Sequence, residues 1–146
     1  MLNPFLLRNQ LDIILSKKLP TTATVAREIA KIYKSFALLA TPTPVILPPK
    51  EEKFALTLQK GLSYTSVTAF TQALDSALLE FWTGVVLTGG GIVVGYAGSV
   101  LLADLPKKLK VGITRNQASV VMANAVDKAT RLVSYTVGPA GPFFLT

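Results

Sequence analysis

The chain offers few residues that could do chemistry. It has no histidine and no cysteine. The commonest general base, the thiol nucleophile and most zinc-binding sets are therefore missing. Eight carboxylates remain. Glu51 and Glu52 are adjacent, in what the pattern makes the first turn of a helix. There their charge interacts favourably with the helix N-terminus, a commoner role than a catalytic pair. Asp75 and Glu80 are five residues apart and do not share a helix face. No serine occupies a nucleophile elbow, and no glycine run precedes the Lys-Ser/Thr of a phosphate loop. The expectation is a protein that is not an enzyme, with no catalytic residues, metal, cofactor or small-molecule substrate.

Charge and hydropathy leave binding roles open. The net charge is +7, from 15 basic and eight acidic residues. Such a chain can meet nucleic acid, anionic lipid or acidic protein. Arg27, Lys31 and Lys34 would line one helix face. A solvated face is the first reading of that stripe and nucleic-acid contact the second, since no aromatic residues interleave to stack on bases. Half of the 146 residues are hydrophobic and 16% are charged. Such a balance suits buried interfaces as well as a core.

The most ambiguous stretch runs from Phe81 to Ala103. It carries no charge and holds six of the ten glycines. A membrane span needs about 20 mostly apolar residues, so its length suffices. Gly91 and Gly95 form a GxxxG pair, and Lys107, Lys108 and Lys110 follow. Against a helix stand Gly89, Gly90 and Gly91 in succession, each costing about 1 kcal/mol relative to alanine. The β-branched segments on either side, 85–88 and 92–94, read as a hairpin around a Gly-Gly turn. A buried hairpin or glycine-rich loop is preferred; a single membrane span over residues 81–103 is the alternative.

The elements around that stretch read mainly as helices. Asn3-Pro4 has the form of an N-cap with proline at N1. Leu6, Leu7, Leu11, Ile14 and Leu15 follow on an apolar side, and Pro20 stops the helix. Thr21 or Thr22 caps the next, with Val25, Ile29, Tyr33, Phe36 and Ala37 inward and an end near Ala40. Residues 41–49 hold four prolines and form a stiff connector or an apolar strap through Val45, Ile46 and Leu47. A short helix from Lys50 uses Phe54, Leu58 and Leu62, and Gly61 can end it. Ser63, Thr65 or Ser66 caps a strong helix with Val67, Phe70, Leu74, Ala77, Leu78 and Phe81 inward. Trp82 then serves as a core anchor or, second, as an interface anchor.

Asp104-Leu105-Pro106 marks a turn, and 107–112 is a linker or short strand. Thr114 or Asn116 starts the last helix. Its inward stripe is Ala118, Val121, Met122, Ala125, Ala129, Leu132 and Val133, and Asn124, Asp127, Lys128 and Arg131 face outward. Residues 134–146 contain two Gly-Pro pairs and then Phe143, Phe144 and Leu145. This tip either folds back on its own domain or docks as an extended arm on another subunit.

Three segments carry a resemblance. Leu2-Asn3-Pro4-Phe5-Leu6 resembles the openings of small virion structural proteins of tailed bacteriophages. A helix ending Leu79-Glu80-Phe81-Trp82-Thr83-Gly84 before a glycine-containing apolar stretch is similar too, as is the Pro/Gly-rich tail from Val137 to Pro142. The resemblance implies a neck, tail or baseplate component assembled in the host cytoplasm and resident in the virion. Its partners would be copies of itself and other virion proteins. The fold expected is mainly α, one domain over 1–146. It has four to five helices, a small extended or β-hairpin element after the central helix, and an extended C-terminal arm. Candidate interface residues are Trp82, Val45, Ile46, Leu47, Phe143, Phe144 and Leu145.

Overall fold

The computed structural model describes residues 1–18, 21–63, 66–110 and 112–146, with backbone alone at 100 and 101. The expected stop at Pro20 and the alternative cap at Thr65 lie outside the described residues. Helices α1 (Pro4–Ser16), α2 (Thr22–Ala37), α3 (Pro48–Leu62), α4 (Val67–Trp82) and α7 (Arg115–Thr130) form the body. Two four-residue helices, α5 (Ser99–Leu102) and α6 (Leu105–Lys108), lie between α4 and α7. The strands are β1 (Pro44–Val45), β2 (Val86–Leu87), β3 (Ile92–Tyr96), β4 (Val133–Val137) and β5 (Ala140–Phe144). They pair in chain order as one antiparallel five-stranded sheet.

The fold is therefore mixed: the helical part of the expectation holds, and the sheet is larger than a hairpin. Three of its strands, β1, β4 and β5, come from the segments expected to be a connector and an arm. Val45 pairs with Val86, which draws the proline-rich segment into the sheet. Residues 133–137 and 140–144 form a hairpin that folds back on its own chain. Leu145 is buried, and Thr146 exchanges backbone hydrogen bonds with Thr41 and accepts one from Leu2. Pairing between residues so far apart in sequence has no local signature.

Local signals place the helix starts. The Asn3 side chain accepts from the amides of Phe5 and Leu6 at 3.1 and 3.4 Å. Thr21 and Ser66 cap α2 and α4 in the same manner. Thr114 and Gln117 form a reciprocal capping box at α7. The turn from β2 to β3 uses Gly89 and Gly90 at φ +85° and +87°, where a side chain would be strained. Residues 81–103 thus divide among the end of α4, two strands and α5. Among the described residues, no helix is long and apolar enough to cross a membrane.

Two helix readings need correction. Gly61 does not end α3, which continues to Leu62 with Ser63 as its C-cap. It is buried where α3 meets α4, and a Cβ there would run into Ala73 and press on the Ala69 carbonyl oxygen. The second concerns α7, which is rotated from the expected stripe. Ser119, Met122, Ala123, Val126, Asp127, Ala129 and Thr130 are buried, whereas Ala118, Val121 and Ala125 are only partly so. The helix satisfies the two inward hydroxyls and one Asp127 oxygen, whereas Asp127 Oδ1 is buried without a partner. Ser119 Oγ donates to the Asn116 carbonyl at 2.8 Å, Thr130 Oγ1 to the Val126 carbonyl at 2.8 Å, and Asp127 pairs with Arg131 at 3.0 Å. The linker expected after Asp104 begins instead as α6, with Pro106 in its first turn.

The core centres on aromatic residues from three helices. Tyr33 stacks on Phe54 at 5.1 Å and meets the edge of Phe81 at 5.0 Å. Trp82 lies edge-on to Phe81 at 5.4 Å. Trp82 Nε1 donates to Tyr33 Oη at 2.7 Å. Tyr33 Oη lies 2.9 Å from Thr130 Oγ1. Since the Thr130 hydrogen is directed to the Val126 carbonyl, the Tyr33 hydroxyl is the donor to Thr130. The relay uses every donor of these buried groups, where an unpaired one is costly.

Removing the middle of this relay leaves the indole N–H of Trp82 buried and unpaired. Tyr33→Phe is expected to lower stability by about 1–3 kcal/mol, seen as a lower urea midpoint at unchanged slope. Gly61→Val overfills the α3–α4 contact and is expected to cost about 1–3 kcal/mol in the same assay.

Candidate functional site

The reactive groups are held apart. Asp75 accepts from Tyr96 Oη at 3.2 Å and from Ser99 Oγ at 2.9 and 3.0 Å, tying α4 to β3 and α5. Glu80 accepts from Thr57 Oγ1 at 2.8 Å on the other side of α4. Glu51 pairs with Lys34 at 3.1 Å across α2 and α3. Among the described residues, no three carboxylates form a group that could hold a metal ion. Ser99 has a carboxylate beside it and no imidazole to take its proton, so the trio works as a clasp.

The basic residues also divide. Lys31 pairs with Glu28 at 3.6 Å and Lys34 with Glu51. Arg27 lines a groove of about 500 Å³ between α2 and α3, whose opposite wall holds Glu51 and Glu52. The stripe read as basic is thus of mixed sign. Lys50 caps the C-terminal end of α4, donating to the Glu80 carbonyl at 3.1 Å and to the Thr83 carbonyl. This placement meets the negative end of the helix dipole. Burial, followed by the neighbouring Lys53, lowers its pKa from the ordinary lysine value.

A more distinctive surface is the side of the sheet turned away from the helices. Directly opposed residues in antiparallel strands share a face. Val45, Val86, Ile92 and Thr136 are paired in a row across four strands. Ser134 pairs with Phe144 on the same face, and Val94 lies there by alternation from Ile92. Val45, Val86, Ile92, Val94 and Phe144 are each 49–58% exposed. The opposite face carries Leu87, Val93, Val133 and, beyond β5, Leu145, all buried in the core. None of the five strands contains Asp, Glu, Lys or Arg. An antiparallel sheet with one face in water ordinarily alternates apolar-in and polar-out. Here the outward positions are largely apolar as well.

The expected interface residues fall in different places. Val45 and Phe144 come together on this face. Phe143 is half-exposed on the other side of β5, beside Tyr135 at 5.6 Å. Leu47 is exposed before α3, and Ile46 is partly buried against the core. Trp82 and Leu145 are buried within the chain's own core. Val86, Ile92 and Val94, expected as hairpin strands, belong to the surface as well. Their signal was available: a hairpin with apolar residues at both alternating positions and no charge.

Known protein families, curated proteins and solved structures give no match to the chain. Any functional reading therefore stands on the residues and the geometry.

The clasp and the relay give a pH signature. Burial raises the pKa of Tyr33, although its hydrogen bonds to Thr130 and Trp82 act the other way. Burial first, then the Asp75 charge, raises that of Tyr96. A folded-state pKa above the unfolded value of about 10 favours the folded chain fully below pH ~10. That contribution is lost as pH rises further. The tyrosinate absorbance of these residues is expected to appear together with loss of circular dichroism, and Asp75→Asn to ease the ionisation of Tyr96. A smooth titration near the ordinary value with the fold intact would contradict this.

Proposed function

We propose that the chain is a non-enzymatic structural component of a tailed-phage virion, built as an oligomer into a neck, tail or baseplate substructure. Its partners are further copies of itself and other virion proteins, and its place is the virion assembled in the host cytoplasm. The observation that carries this reading is the uncharged, apolar outer face of the sheet. Exposed apolar surface on a small protein marks a contact site, and here paired strands present it, with Ser134 and Thr136 between Ile92 and Phe144.

Two further features support it. The chain lacks histidine and cysteine, and six of its eight carboxylates are held in hydrogen bonds or ion pairs on separate elements. The resemblance of Leu2–Leu6, Leu79–Gly84 and Val137–Pro142 to small virion proteins supplies the class of assembly. Function in such a protein consists of interfaces: the helical body fixes the sheet and the sheet offers the contact.

The test is the mass of the recombinant protein in detergent-free solution. The expected particle is a discrete multiple of 15.6 kDa. A monomer at every concentration, or recovery only with membranes, would sink the proposal.

A further inference from the structure

We propose that the groove between α3 and the C-terminal end of α4 binds the phosphate backbone of nucleic acid without reading its sequence. The groove has a volume of about 480 Å³, and Lys50, Lys53, Thr57, Lys60 and Glu80 line it. The sequence of α3 builds this row. Residues 50, 53, 57 and 60 recur at i, i+3, i+7 and i+10, so they share one face of the helix. Glu51 and Glu52 turn the other way, toward α2. The helix thereby sorts its charges by face. Lys31, Lys34, Arg115 and Arg131 form ion pairs, whereas Lys50, Lys53 and Lys60 form none among the described residues. Glu80, the carboxylate in the lining, accepts from Thr57 Oγ1 at 2.8 Å. Lys50 donates to the carbonyls of Glu80 and Thr83, which holds its charge at the groove. Lys53 and Lys60 are exposed beside it. The basic stripe expected on α2 is neutralised by carboxylates; the row on α3 is not.

Charge, length and lining select the occupant. Like charges at neighbouring helix positions repel, and an anion removes that repulsion. The strain is visible at Lys50, whose pKa is lowered by burial and then by Lys53. The row spans ten residues of helix, about 15 Å. A single small anion covers one lysine of such a row. A nucleic-acid strand, with a phosphate for about every 3.4 Å of its axis, runs along all of it. Lysine meets phosphate as a point charge. A carboxylate is better held by the planar fork of arginine, and no arginine lines the groove. Bases are read by arginine, asparagine or glutamine and stacked on by aromatic rings, and the lining has none of these. The contact therefore stops at the backbone. A lipid surface needs a broad apolar footing beside its lysines, and here Leu56 alone supplies one. The groove shares no residue with the outer sheet face, so the two contacts are separable by mutation.

The test titrates a short fluorescent DNA duplex with the full chain and follows its anisotropy from about 50 mM salt upward. Binding is expected to be equal for two unrelated sequences, with a slope of log K against log salt of about −2, as for two phosphate contacts. Replacing Lys53 and Lys60 together by alanine is expected to weaken binding to both sequences and to reduce that slope by about 2. Replacing both by arginine keeps the charge and is expected to preserve binding. Replacing Lys17 and Lys18 by alanine removes the same charge at exposed sites beyond α1 and is expected to leave binding unchanged. Circular dichroism checks the fold of each variant. Should the alanine pair unfold, the wild type supplies a second measurement. Bound duplex is expected to protect Lys53 and Lys60 from acetylation and to leave Lys17 and Lys18 reactive, as read by mass spectrometry. No binding at low salt, or an equal loss in the Lys17 and Lys18 pair, would overturn the assignment. Tighter binding to polyglutamate or to phosphatidylglycerol vesicles than to the duplex would also overturn it, giving the row to acidic protein or to lipid.

Discussion

The relay from Trp82 through Tyr33 to Thr130 fixes how three of the five body helices meet. It joins α4, α2 and α7 by buried groups. A buried indole N–H admits few substitutes for its acceptor, so the relative placement of α4 and α2 is set to within hydrogen-bond tolerance. The rotation of α7 follows, since Thr130 must point inward. That requirement carries Ser119 and Asp127 into the interior as well. Aromatic packing around Tyr33 and Phe81 then fills the space that the relay defines.

The sheet inherits its position from this core. Trp82 ends α4, and Val85 and Leu87 turn inward directly after it. The inner face is thereby anchored to the aromatic cluster, and the outer face is fixed by the pleat. Charge is distributed in the opposite sense. Lysines and carboxylates decorate the helices, where they pair across α2 and α3 or cap α4, and the strands remain free of them. Charge thus lies on the helical side and an uncharged, largely apolar face on the other.

Much of the helical body was legible because its signals are local. Asn3, Thr21, Ser66 and Thr114 cap helices with their own side chains, and α4 shows its apolar period without interruption. The Gly89-Gly90 turn was legible for the same reason. The rest required information from distant residues. Nothing near Val45 announces that it will pair with Val86, and the Gly-Pro pairs at the C-terminal end look like an arm until β3 is there to receive β4. Gly61 reads as a helix stop on its own and as a close contact only when α4 lies beside it. In α7 the hydrophobic period misleads, because hydroxyls satisfied by the helix's own carbonyls can replace aliphatic residues in the interior. Of the candidate surface, Val45 and Phe144 were legible as exposed apolar residues; that they share a face was not.

The sheet gathers strands from three stretches of chain separated by helices: 44–45, 86–96 and 133–144. Contacts of such long sequence separation carry a larger loop-closure cost than the local contacts of the helices. A partly folded chain would hold some of the same apolar residues, but not in paired rows. The surface is thus a product of completed folding, and copies that stall on the way cannot present it.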